Sequence, residues 1–226
     1  MIRHLIETGS TNDEVRALAR AGAGEGLWVR ADRQTGGRGR HGRSWDSPSA
    51  NLYASTLVRL RPDDPAAPSL ALVAGVALHE TLSAFAPGLI LKWPNDVMAS
   101  GAKLAGILLE REGDAVVIGL GANLAHAPQG LPRPTASIAD LTGSAPDPAT
   151  VVEMLAEAFA RRLALWRAGL DPIRRAWLER AHPIGTALAT EAGEGLFQGL
   201  DADGALRLRL ADGSERAVHA GDVFLI

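Results

Sequence analysis

The side chains best suited to binding chemistry cluster between Arg33 and Trp45, in the run Arg-Gln-Thr-Gly-Gly-Arg-Gly-Arg-His-Gly-Arg-Ser-Trp. Gly36, Gly37, Gly39 and Gly42 alternate with Arg38, Arg40 and Arg43, and Trp45 closes the run. Glycine brings backbone N–H groups against a ligand without a Cβ in the way. Each arginine adds a permanent charge and a planar fork of donors matched to phosphate or carboxylate. So many glycines exclude a regular element, and the loop is expected to stay mobile over Gln34–Ser47 until an anion orders it. A solvated basic linker would not end in a tryptophan between two strand-like runs, so anion binding is the better reading.

A second group follows in the middle of the chain. Leu89–Trp93 reads as a strand stopped by Pro94, which presents Asn95 and Asp96 on a tight turn. In the next strand, Gly101–Glu110, alternation sets Lys103 on one face with Ala105, Ile107 and Leu109, and Leu104, Gly106 and Leu108 on the other. A lysine on an apolar face is expected to snorkel or to meet a buried anion. Gly106 inside a strand marks close approach by a ligand or another backbone. Ala115–Asn123 is a buried strand ending in Gly119, Gly121 and Asn123. These residues could converge with the arginine loop on one phosphate-bearing ligand. No Gly-x-x-x-x-Gly-Lys-Ser/Thr run is present, which excludes a P-loop.

The elements that must position these groups are legible from periodicity. His4–Glu7 is a short strand, followed by Ser10, Thr11 and Asn12 at the start of a helix over Val15–Ala21. One of those three suffices as a cap, leaving two able to face a ligand. Leu27–Ala31 and Asn51–Leu60 are strands flanking the arginine loop. Helices are expected over Pro68–Ala86, Ala149–Trp166 and Pro172–Ala181, and from Ile184 short alternating runs predict three to five strands of a small β-barrel. The chain has 226 residues, a net charge of −3 and no cysteine, which removes disulfides, thiolate metal sites and a cysteine nucleophile. The mild acidity argues against a nucleic-acid-binding module using the arginines on phosphates. With no apolar leader core and no membrane-length run, a cytoplasmic protein is expected.

Taken together, Ser10-Thr-Asn12, Gly37-Arg-Gly-Arg-His-Gly-Arg43 with Trp45, Lys92-Trp-Pro-Asn-Asp96, Lys103-Leu-Ala-Gly-Ile-Leu108 and Gly119-Leu-Gly-Ala-Asn123 resemble the motifs of the biotin–protein ligases. The resemblance covers residues 8–123. It implies an α+β fold: a mixed sheet with flanking helices like the core of class II aminoacyl-tRNA synthetases, followed by a small Src-homology-type β-barrel. It implies a catalytic domain over residues 1–183 and a barrel over 184–226. The implied activity is formation of biotinyl-5′-AMP from biotin and MgATP, then transfer of biotin to a lysine of a biotin carboxyl carrier domain of a carboxylase.

Carried over to this sequence, the resemblance assigns Ser10, Thr11, Gln34, Gly37 and Gly106 to biotin. It gathers Arg38, Arg40 and Lys103 around the biotin carboxylate and α-phosphate, with Lys103 and Arg40 as the catalytic cations. Arg43, Trp45, Gly121 and Asn123 fall on the adenylate side, Trp45 covering the adenine. Asn95 and Asp96 fall near the phosphates, with Asp96 in indirect contact with Mg²⁺. Gly36 and His41 stand where many relatives carry Ala and Arg. The ligase motifs begin within ten residues of Met1, so a preceding repressor domain and DNA binding are not expected. No membrane partner is expected, and a homodimer is left open. The alternative is a lipoate- or octanoyl-type acyl transferase, which shares the fold and an active-site lysine but lacks the arginine loop. The barrel is expected to be dispensable for folding of the rest.

Overall fold

The computed structural model describes residues 1–191 and 193–226. Its centre is a seven-stranded mixed sheet formed by β1 (Ile2–Thr8), β2 (Trp28–Gln34), β3 (Leu52–Arg59), β4 (Leu89–Lys92), β5 (Asp96–Ala99), β6 (Ala102–Glu112) and β7 (Ala115–Ala122). The strand order is β1-β2-β3-β7-β6-β5-β4, parallel only between β1 and β2.

The two faces are covered unequally. Helix α1 (Thr11–Arg20) lies on one face, where Val15 and Ala19 pack on Val29, Leu57 and Val117. Helix α2 (Leu70–Ser83) is apolar almost all round and lies on the other face, beneath α4 (Pro148–Arg167) and α5 (Asp171–Leu178). A helix without a polar side belongs between layers. The short helix α3 (Ile138–Thr142) starts in a reciprocal capping box between Ser137 and Asp140.

Helix α1 begins at Thr11, earlier than the apolar spacing indicates. Ser10 occupies the N-cap position in extended conformation, but its side chain makes no capping bond. Thr11 and Asn12 instead turn inward, both nearly fully buried. Helix α5 stops short of Ala181 because Ala181 bridges Leu91 and covers the β4 edge.

Residues beyond 184 form a second, antiparallel sheet of β8 (Ala187–Thr190), β9 (Gly193–Leu200), β10 (Leu206–Arg209), β11 (Glu215–Val218) and β12 (Val223–Leu225), in the order β11-β10-β9-β8-β12. This sheet is not an independent appendage. Leu188, Phe197, Leu206 and Leu208 join the main core, Trp177 meets Phe197 edge-on at 6.5 Å, and Trp93 Nε1 donates to the Gly204 carbonyl at 3.2 Å. The expectation that the remainder folds without it therefore does not fit the packing: removal would uncover two tryptophans and a broad apolar surface.

Candidate active site

The site is organised by a bulge in β6. Asp96 pairs with Gly106 and Val97 with Ala105, but the next partner of β5, Met98, meets Lys103, so Leu104 is an extra residue. A bulge reverses the facing of everything beyond it. Strict alternation therefore fails at this point: Lys103 does not share a face with Ala105 and Ile107. Its ammonium instead lies 3.1 Å from where a Cβ on Gly106 would stand. Leu104 is buried in the main core, and the Lys103 backbone pairs outward with Pro134 and Ala136. The lysine thus crosses to the polar face while the apolar side chains keep theirs.

On that face Lys103 Nζ is 2.6 Å from Asp96 Oδ1, and Lys92 Nζ is 3.7 Å from Asp96 Oδ2. Burial pushes the Lys92 ammonium down from the usual lysine range, against the pull of Asp96. Lys92 belongs to the motif read from the sequence but was given no role there. Its strand position, next to a tryptophan and a proline, looks like that of a core residue.

Gly106 and Gly121 are direct neighbours across β6 and β7. Together they form the floor on which Trp45 rests. A Cβ at Gly121 would come within 2.8 Å of Trp45 Cε2, and one at Gly106 within 3.2 Å of Cζ3. Lys103 Nζ sits 5.4 Å from the centre of the same ring. Trp45 Nε1 is buried and has no hydrogen-bond partner among the described residues. An indole N–H in that condition is suited to an acceptor supplied by a ligand. Two open clefts elsewhere, one lined by His4, Arg30, Asp32 and Asp147 and the other by Trp28, Phe159 and Leu163, contain none of the candidate residues.

The arginine loop folds back on itself, with Trp45 N donating to the Gly37 carbonyl at 2.9 Å and Gly39 N to the Arg43 carbonyl at 2.7 Å. Gly37 has no room for a side chain, because a Cβ would stand 2.5 Å from the Trp45 carbonyl oxygen. The three arginines diverge. Arg38 grips Asp13 of α1 through two bonds of 2.8 and 2.7 Å, and its guanidinium holds the Asp13 carboxyl below the usual carboxylate range. Arg40 donates to Asn95 Oδ1 at 3.2 Å and to the Gly221 carbonyl at 3.1 Å. Arg43 reaches Asp222 at 2.7 Å.

Asp222, in the turn between β11 and β12, also faces Arg133 at 3.5 Å and Arg40 at 3.7 Å. Burial pushes its carboxyl up, but the bond from Arg43 and the charges of Arg43, Arg133 and Arg40 outweigh this and hold it down. Neither Asp222 nor Arg133 was found by sequence reasoning. Asp-Gly and Gly-Asp pairs in a strand-rich segment signal turns, and nothing local marks this aspartate as a partner of a loop some 180 residues away.

Thr11 and Gln34 are brought together: Gln34 Oε1 accepts from Thr11 N at 2.8 Å and Thr11 Oγ1 at 3.1 Å, and Gln34 Nε2 donates to Ser47. Asn12 accepts from Ser55 and donates to Glu110. Its approach requires Gly119, where any Cβ would collide with Asn12 Oδ1. The Asn123 side-chain amide donates to the Ala136 carbonyl at 3.1 Å. Asn51, also unremarked in the sequence, accepts three backbone N–H bonds from Leu124, Ala125 and His126 and so shapes the turn after β7.

Among the described residues no group of three or more His, Asp or Glu side chains could hold a metal ion. Both Asp96 oxygens face ammonium groups. The donor set does not fit a protein-held Mg²⁺, and any Mg²⁺ would have to arrive on the phosphates of the substrate.

Floor, cations and loop together describe a site for an anionic ligand with a flat ring system. Comparison with known proteins gives the family. Residues 9–123 match the profile described as Biotin/lipoate A/B protein ligase family, and residues 187–226 match that of the Biotin protein ligase C terminal domain. The chain is 43% identical to a biotin–[acetyl-CoA-carboxylase] ligase of Paracoccus denitrificans over 97% of this chain and 98% of that one. It is 36% identical to the enzyme of the same name from Mycobacterium tuberculosis, over 97% and 86%. In fold it is similar to a biotin protein ligase from Aquifex aeolicus solved with biotin and ATP, at a TM-score of 0.89 and 24% identity, covering 100% of this chain and 99% of the other. With a family profile spanning half its length and a relative of this identity matched nearly end to end, the chain belongs to the biotin/lipoate A/B protein ligase family.

Proposed function

We propose that this chain is an ATP-dependent biotin–protein ligase. The observation that carries the reading is the placement of Lys103 by the β6 bulge beside the Gly106–Gly121 floor, with Trp45 across it. In the first half-reaction the biotin carboxylate attacks the α-phosphorus of ATP, a P–O bond forms, and pyrophosphate leaves. Two anions must approach each other, so the catalytic effect comes chiefly from fixed positive charge. Lys103 and Arg40 supply it, with Arg38 and Arg43 available once their carboxylate partners yield to the substrate. In the second half-reaction the neutral amine of a carrier lysine attacks the acyl carbon of the mixed anhydride and AMP departs.

Within this reading Ser10, Thr11, Gln34 and Gly37 border the biotin head group, with Gly106 against its rings. Trp45 lifts from the Gly106–Gly121 floor to cover the adenine, which frees its unpartnered Nε1 to find an acceptor. Asn95 positions Arg40. Asn123 acts on the site through the backbone, and Asp96 acts through its two lysines. We assign residues 1–183 to a catalytic domain of the class II synthetase type and 184–226 to a Src-homology-type barrel, in keeping with the strand orders of the two sheets. The acceptor in this reading is a biotin carboxyl carrier domain, and the setting is the ATP-rich cytoplasm.

The test is to incubate the purified protein with biotin, MgATP and a carrier domain and to measure the mass of the carrier. A gain of one biotinyl group on its acceptor lysine is expected. A gain only when lipoate or octanoate replaces biotin would overturn the biotin reading in favour of the related acyl ligases, and no gain with any of these acids would overturn ligase activity.

A further inference from the structure

Asp96 is shared unequally between two lysines. Lys92 has a side chain only 9% exposed, whereas Lys103 is 29% exposed and opens onto the face that carries Trp45. Lys92 ends β4 directly across the hairpin from Asp96, so backbone pairing fixes it opposite the carboxylate. Lys103 reaches the same group from the bulge. The other charged groups around Lys92 are Arg133, Lys103 and Asp222, with His182 nearby.

A carboxylate enclosed as Asp96 is cannot be left without a cation, because an uncompensated buried charge is strongly destabilising. If Lys103 alone neutralised it, moving that ammonium onto a substrate anion would incur the whole penalty, and the ion pair would hold the lysine back. We propose that Lys92 is a positioning residue, the resident counter-ion of Asp96, which frees Lys103 to leave the carboxylate for the substrate anion. The identity of that anion rests on the ligase reading. The counter-ion relation is a property of the three side chains themselves. Lys92 touches no reacting atom; it acts through Asp96 on Lys103.

Lys92→Met keeps most of the side-chain length and removes the charge. Two readouts apply. The first needs no substrate: the rate at which acetic anhydride labels the Lys103 amine at fixed pH, read by peptide mass. In Lys92→Met, Lys103 is held more tightly by Asp96 and labelling is expected to fall at least threefold. Adding Asp96→Asn removes the holding group, and labelling is expected to return to the wild-type rate or above. The second is biotin-dependent pyrophosphate release, whose kcat is expected to fall at least tenfold in Lys92→Met. Wild-type protein that releases no pyrophosphate would sink the ligase reading and leave the labelling to decide on Lys92. Unchanged labelling of Lys103 in Lys92→Met, or a loss that Asp96→Asn does not relieve, would overturn the proposal. Should Lys92→Met melt below the assay temperature, Lys92→Gln is labelled in its place with the same expectations.

Discussion

Gly121 carries the Trp45 indole directly on its backbone, with room for no Cβ between them: one placed there would stand 2.8 Å from ring atom Cε2. Residues 76 positions apart in the chain thus make a single contact that seats the whole arginine loop on the sheet. The loop's side-chain anchors also include Gln34–Ser47, Arg38–Asp13, Arg40–Asn95, Arg40–Gly221 and Arg43–Asp222.

Gly121→Ala should therefore unseat the indole and loosen the loop. The expected result is several-fold faster tryptic cleavage after Arg38, Arg40 and Arg43 than in the wild type, while biotin plus ATP slows cleavage of the wild-type loop. Equal cleavage rates in variant and wild type would show that the arginine–carboxylate contacts hold the loop without the ring.

Lys103→Ala should stop adenylate formation most directly. A charge-assisted contact to the developing phosphorane in an enclosed site is worth about 3–4 kcal/mol, on the order of 10²–10³ in rate. Biotin binding through Thr11 and Gln34 should survive in weakened form. Lys103→Arg should rescue poorly, because a planar fork cannot stand where the bulge places a compact ammonium. Pyrophosphate release by the three proteins decides this. A Lys103→Ala variant within a few-fold of wild type would remove the lysine from the active centre.

Asp222→Asn should destabilise the protein in a pH-dependent way. The folded-state pKa of Asp222 lies below its ordinary value, so its ion pairs contribute fully above about pH 4, and the contribution disappears as pH falls through the lowered value. With a side chain 23% exposed, a loss of about 1 kcal/mol is expected at pH 7, or roughly 2–4 °C in melting temperature for a chain of this size. The two melting curves should converge on acidification. A gap that persists unchanged at pH 3 would mean that the asparagine disturbs packing and that the charge contributes nothing.

Deleting residues 184–226 should yield a protein that aggregates or fails to fold, since Trp93, Trp177 and Leu72 would lose their covering from Gly204 and Phe197. Circular dichroism melting of the truncated chain is the measurement. A cooperative transition near that of the whole chain would show that the shared core divides cleanly at this point.

The amino-acid sequence by itself determined the local elements and the chemistry they could carry. Glycines spaced between arginines demand a loop whose groups are suited to anions, and periodicity marks the sheet strands, the long helices and the β-rich C-terminal segment. A lysine among apolar residues calls for snorkelling or for a buried anion. These features depend on neighbours within a few positions, where steric and hydrophobic patterning acts directly. Only the tertiary structure decided where the charges meet. The extra residue Leu104 reversed the facing of Lys103, and such a bulge depends on how three strands share hydrogen bonds, which alternation along one strand does not encode. Asp222 and Arg133 became partners of the arginine loop, Asp96 acquired Lys92 as a second cation, and Asn51 took the backbone of the turn after β7. Each of these is a polar side chain of ordinary local context, given its role by a contact that exists only once distant segments are packed and water is excluded from between them.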